Sequence, residues 1–215
     1  MGSVGLLYVG AVLFLNGAML LGLVDGKSAA PMNVMVGLLQ VLTPTYLIFT
    51  AGGDPDVILG ASGLYLFGFT YLYVAFNLFG DLDGTGLGYF SLFVAACAVV
   101  YSVLNFVRFD DAAFGVIWLY WAFLWALFFL VLGRKKEELT RYTGAVCLTQ
   151  GIVTGAIPAF LLMVGRWGEN DVLFAVVLAV FAVVVFGAFY PRFGPSAPAP
   201  SEPKATADTA VALDP

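Results

Sequence analysis

Seven uncharged apolar stretches alternate with short polar connections along the chain, at residues 3–24, 31–50, 57–79, 87–107, 113–132, 142–164 and 172–190. Each is 19 to 23 residues long. A helix rises about 1.5 Å per residue, so about 20 residues cross a hydrocarbon core about 30 Å thick. Membrane strands need only about 10 residues and alternate in polarity, a pattern these runs lack. Lipid offers the backbone no hydrogen-bond partner, so the runs must be helices. The pattern therefore predicts an all-α fold, a polytopic transmembrane bundle of about seven spans whose short connections make neighbours antiparallel. The first run reads as a span and not as a cleavable leader. It has no basic segment before it, it is too long for a signal peptide's apolar core, and further spans follow.

Composition agrees. Hydrophobic residues make up 61% of the chain and charged ones 11%, against about 25% charged in a soluble domain. The basic residues fix an expected orientation. Lys27, Arg134, Lys135, Lys136, Arg141, Arg192 and Lys204 fall on one side, and only Arg108 and Arg166 on the other. This predicts a bacterial inner-membrane protein with its N-terminus outside and its C-terminus in the cytoplasm. Residues 194–215, rich in Pro, Ala and acidic side chains, read as a disordered cytoplasmic tail.

The chemistry inside the spans is uncharged. The chain has no histidine, which removes His-based acid–base catalysis and His metal sites. No carboxylate lies within a span to relay protons. No phosphate-binding glycine loop appears, and no basic cluster suits nucleic acid. We therefore expect no enzyme activity, no metal site and no cofactor. Cys97 and Cys147 lie inside spans and read as small buried hydrophobes. Aromatic rings, amides and hydroxyls remain, groups suited to small neutral polar molecules.

Asn16 and Gln150 are the sharpest of these. Counting along spans 1 and 6 puts both at one depth, each about 4–5 Å from the bilayer centre. They either glue the bundle through an amide–amide bond or line a narrow pore. Trp118, Trp121 and Trp125 share one face of span 5, and Phe69 and Tyr73 one face of span 3. Those rings either pack and face lipid, or form a slot through which a planar molecule slides. In a slot, indole N–H and phenol O–H would meet its polar edges. Pro44 and Pro158 are expected to kink spans 2 and 6. Two internal echoes stand out. Tyr8–Val12 with Asn16-Gly17 matches Tyr142–Val146 with Gln150-Gly151, and residues 67–76 match residues 114–123. Echoes of this kind either mark duplicated transporter architecture or follow from the small alphabet of membrane helices.

In order and spacing, LLYVG…NG in 6–17, VDGKSAAPMN in 24–33, LFGFTYLYVAFN in 66–77, YFSLFVA in 89–95, IWLYWAFLW in 117–125 and GIVTGAIPAF in 151–160 resemble the AmiS/UreI family of urea and short-chain amide channels. The resemblance implies a six-span channel core over residues 1–165, with 166–193 an additional C-terminal span. It also implies a homohexamer of passive channels for urea and acetamide-like amides, linked in function to a cytoplasmic amidase or urease. The substrate pathway so implied comprises Phe69, Tyr73, Trp118, Trp121, Leu124 and Trp125, beside Asn16 and Gln150. Leu6, Val9 and Leu13 would form an outer constriction. The acid-gated urea channel carries histidines in its outer loops and a carboxylate at the position of Gln150. Neither is present here, so no acid gate is expected. The alternatives are a secondary transporter or sensor that binds a small amide in the same bundle, and a structural subunit packed by Asn16 and Gln150.

Overall fold

The computed structural model describes residues 2–195. Residues 196–215, most of the expected tail, lie outside the described residues. Seven helices are long and apolar enough to cross a membrane: span 1 (Gly2–Leu20), span 2 (Gly26–Thr50), span 3 (Pro55–Gly80), span 4 (Thr85–Val107), span 5 (Ala112–Gly133), span 6 (Glu137–Met163) and span 7 (Asp171–Phe193). No strand occurs among the described residues.

Span ends follow capping rather than charge. Span 2 begins five residues earlier than the apolar run. The Asp25 carboxylate accepts from the backbone N–H groups of Lys27 and Ser28 and so caps the helix, satisfying donors that a helix start leaves open. Asp54 caps span 3 in the same way. Span 1 stops at Leu20, short of its apolar run, where Gly22 takes a φ of +79°.

Three spans contain π-helical turns, at Phe129–Gly133, Gly151–Ala156 and Ala182–Phe186. In span 6 the π turn ends two residues before Pro158. Proline has no N–H to return to the carbonyl four residues earlier, and a wider turn is one way a helix absorbs that loss.

Spans 1 and 6 meet backbone to backbone. A Cβ placed on Gly10 would lie 2.5 Å from the Gly151 carbonyl oxygen, and one on Gly17 2.7 Å from that of Gly144. Gly10 therefore stands level with Gly151, and Gly17 with Gly144. This register corrects the expected depths: Gln150 lies about one helical turn from Asn16 along the bundle axis, not beside it. Counting from the middle of each apolar run missed this because the helix of span 1 ends at Leu20, short of its run.

Ion pairs tie the exposed ends together. Lys27 bonds Asp81 at 2.9 Å and Lys135 bonds Asp83 at 2.6 Å at one end, and Arg108 bonds Asp56 at the other. Solvent-exposed pairs of this kind contribute about 0–1 kcal/mol each. They set loop positions more than stability.

Candidate functional site

The middle of the bundle is a cluster of rings. Phe67 of span 3 touches all three indoles of span 5. Its ring centroid lies 5.5 Å from Trp118, 4.8 Å from Trp121 and 5.0 Å from Trp125. The Trp121 and Trp125 contacts are edge-on, which suits the ring quadrupoles. Trp121 and Trp125 are 3% and 0% exposed, so no aqueous gap passes beside them.

A cavity lies on each side of this cluster. The proximal one, about 370 Å³, occupies the end of the bundle where the chain begins and is lined by Ser3, Leu6, Asn105, Trp118 and Trp121, among others. The distal one, about 240 Å³, is lined by Leu13, Asn16, Tyr71, Asn77, Ser91 and Trp125, among others. Among the described residues no charged side chain lines either cavity. Trp121 faces one and Trp125 the other, four residues apart, so the partition between them is about 6 Å thick.

Hydroxyl groups hold both indoles. Trp121 Nε1 donates to Thr154 Oγ1 at 3.1 Å, and Trp125 Nε1 donates to Thr70 Oγ1 at 3.2 Å. Each threonine in turn donates to a carbonyl one turn earlier in its own helix, Thr154 to Gln150 and Thr70 to Leu66. The expectation that indole N–H groups would meet a passing solute is corrected for these two: their N–H groups are already spent.

Other polar atoms stay open. Gln150 Nε2 donates to the Tyr120 carbonyl at 3.0 Å. That carbonyl can only accept, so the amide must present its nitrogen there, and Oε1 is left buried without a partner. Tyr71 Oη and Asn77 Oδ1, both on residues lining the distal cavity, are also buried without partners. An unmet buried polar group costs about 1–3 kcal/mol, which favours any molecule that can satisfy it.

The structure brings together Trp118, Trp121, Leu124 and Trp125, all buried, and leaves two expected residues out. Phe69 is 49% exposed on the bundle surface and stacks on Tyr65 at 5.6 Å. The Tyr73 hydroxyl lies against Gly86 of span 4, and Tyr73 lines neither cavity. Phe67 and Tyr71 occupy the inward face instead. Both pairs have the same i, i+4 spacing, so periodicity could not choose between them. Thr70 could have: a hydroxyl on the face of Phe67 and Tyr71 marks the side that meets an indole N–H.

Leu6, Val9 and Leu13 are all buried along span 1. They do not gather at one mouth, because Leu6 lines the proximal cavity, Leu13 the distal one, and Val9 neither. The trio runs the length of the partition. Asn16 does not bond Gln150. It exchanges two hydrogen bonds with Asn33 of span 2, at 2.9 and 2.7 Å. Gln40, seven residues on, donates to the Gly5 carbonyl, so two buried amides staple span 2 to span 1. Among the described residues no group of three or more His, Cys, Asp or Glu could hold a metal ion. Both cysteines are free.

Comparison with known proteins gives a consistent picture. Residues 1–166 match the model of the AmiS/UreI family transporters. An amidate substrates transporter protein of Mycolicibacterium smegmatis is 55% identical, covering 86% of this chain and 87% of that protein. The acid-activated urea channel of Helicobacter pylori is 35% identical over 75% of this chain and 97% of that protein. The cryo-electron-microscopy structure of the H. pylori urea channel in a closed state superposes with a TM-score of 0.71, covering 78% of this chain and all of that one. Span 7 begins after the matched family region ends.

Proposed function

This chain belongs to the AmiS/UreI transporter family, and from that premise we propose that it is a passive channel for urea and short aliphatic amides. It is a multi-pass membrane protein and not an enzyme. In our reading the solute enters one cavity, passes the ring partition edge-first, and leaves by the other. Following the distribution of basic residues, the proximal cavity faces the outside of a bacterial inner membrane and the distal one the cytoplasm. A cytoplasmic amidase or urease would consume what arrives, and the assembly would be a homohexamer of such pores.

The observation that carries this reading is the pair of charge-free cavities divided by a thin cluster of aromatic rings. Flat faces in a narrow gap admit planar solutes and reject bulky ones. With no charged group to replace its hydration, an ion has nothing to draw it into the partition. Passive flux is favoured over coupled transport because no carboxylate lines the path for a driving ion or proton.

Stopped-flow uptake of acetamide and urea into proteoliposomes tests the proposal. Uptake well above that of empty vesicles is expected, with no accumulation above the external concentration. Uptake equal to that of empty vesicles would refute the channel; concentrative uptake would identify a coupled transporter.

A further inference from the structure

Trp121 and Trp125 spend their N–H groups on threonines, but Trp118 does not. Among the described residues nothing accepts from Trp118 Nε1, and that nitrogen is not sealed into the protein as Gln150 Oε1 is. Trp118 is 6% exposed and lines the proximal cavity. Asn105 of span 4 lines the same cavity and is 9% exposed. Its Nδ2 donates to the Tyr101 carbonyl, one turn earlier in its own helix, at 2.7 Å. A carbonyl only accepts, so the amide nitrogen must stand there and Oδ1 must point away. Among the described residues Oδ1 receives no hydrogen bond, and it too is left unsealed.

Tyr101 joins the two residues. Its ring stacks on Trp118 with centroids 4.5 Å apart and planes 17° from parallel. Its hydroxyl bonds the Ser62 hydroxyl at 2.6 Å, and Ser62 donates to the Leu59 carbonyl. The phenol is therefore the donor, and its proton is spent. Gly63 makes room for both rings: a Cβ there would lie 2.9 Å from Trp118 Cη2 and 3.2 Å from Tyr101 Cζ. Asn105 follows Tyr101 by one helical turn, about 6 Å along the axis, on the side of the Arg108–Asp56 pair that ties the proximal end. An open donor and an open acceptor thus share one charge-free cavity, about a turn apart.

We propose that Asn105 Oδ1 and the Trp118 N–H form a capture site for primary carboxamides and urea in the proximal cavity. The solute carbonyl accepts from Trp118, and the solute amino group donates to Asn105. This rests on the channel reading above and deepens it. The ring partition selects for flatness, whereas this site selects for a carbonyl and an N–H on one molecule. It also lies in front of the partition. A bound state ahead of a barrier fills the path at a lower solute concentration but does not lower the barrier itself. The site therefore sets the concentration at which flux saturates.

The test is the half-saturating concentration for protein-dependent uptake of acetamide and of N,N-dimethylformamide into proteoliposomes. Both solutes are small, planar and neutral and carry a carbonyl, but only acetamide donates N–H. Wild type should saturate with acetamide at the lower concentration. Asn105→Leu, which keeps the bulk and removes the acceptor, should raise the value for acetamide about three- to tenfold relative to that for dimethylformamide, the worth of one hydrogen bond. Asn105→Ala should shift the ratio in the same direction and serves if the leucine variant does not fold. Trp118→Phe, which keeps a ring against Tyr101 and removes a donor that both carbonyls use, should raise both values together. An unshifted ratio in the Asn105 variants, or an equal rise for the two solutes there, would overturn this inference and leave the channel reading standing. Absence of flux in the wild type would overturn the channel reading and this inference with it.

Discussion

The indole N–H of Trp121 is bonded to the hydroxyl of Thr154 at 3.1 Å, across spans 5 and 6. This fixes the ring that closes the proximal cavity. Thr154→Val keeps the side-chain shape but leaves the N–H buried and unmet, at a cost of about 1–3 kcal/mol. The thermal unfolding midpoint in detergent should fall, and acetamide flux should change with it, while Thr154→Ser retains both. An unaltered midpoint in the valine variant would show that the bond contributes nothing.

Phe67 and Phe69 differ by two positions and should differ sharply in effect. Phe67→Ala removes a ring in contact with three indoles, a change that costs about 3–5 kcal/mol in a packed interior. It should also admit bulkier amides, such as butyramide, that the wild type excludes. Phe69→Ala, on the bundle surface, should leave that size limit in place. Equal loss of exclusion in both would contradict the inward placement of Phe67.

Gln150→Glu should make flux pH-dependent. An ionised carboxylate cannot donate to the Tyr120 carbonyl, whereas a protonated one can. Burial raises a carboxyl pKa above its ordinary value of about 4.3. Stability and proper orientation should be present below that value and be lost as pH rises through the raised one. Flux measured from pH 4 to 8 should decline across that window in the variant. A flat profile would mean that the Tyr120 contact does not set the side chain.

Wild-type flux should vary by less than about twofold between pH 5 and 7.5, since the chain has no histidine and no carboxylate lines the partition. The titrating group to watch is Asp111 at the proximal end. Burial pushes its carboxyl above the usual aspartate range, opposed by the N–H donors of Phe114 and Trp167, with Asp171 beside it adding to the rise. Its protonation favours the fold below the ordinary aspartate value, and that gain is lost as pH rises through the raised one. Asp111→Asn should flatten this part of the stability profile, read as unfolding midpoint against pH.

Asn16 and Asn33 should behave as a pair. Either single change to Leu strands a buried amide, and the double change should cost less than the two singles summed. A coupling of about 0.6–1.7 kcal/mol is expected for polar pairs in a membrane bundle. Strict additivity in a double-mutant cycle would show that the paired bonds are energetically silent.

The spans were legible in the sequence because bilayer thickness leaves an apolar run of 20 residues few alternatives. Their ends were not, where a cap such as Asp25 extends a helix past a lysine. The three indoles were legible because i, i+3, i+7 spacing puts them on one face. Which face of span 3 they meet was not, since Phe67/Tyr71 and Phe69/Tyr73 share a period. Gln40 and Asn33 escaped notice for a related reason. A lone buried amide is recognised by its partner, here the Gly5 carbonyl and Asn16, and partners are set by helix register rather than by local pattern.

The glycine seam between spans 1 and 6 has a mechanical consequence. Where main chains already touch there is no room to approach and no side chain to swing aside, so that wall of the path is a fixed jamb. Any widening must come from the opposite wall, by rotation of the indoles or of Phe67 on their own bonds. The rate of opening then belongs to side chains, which move faster than whole helices.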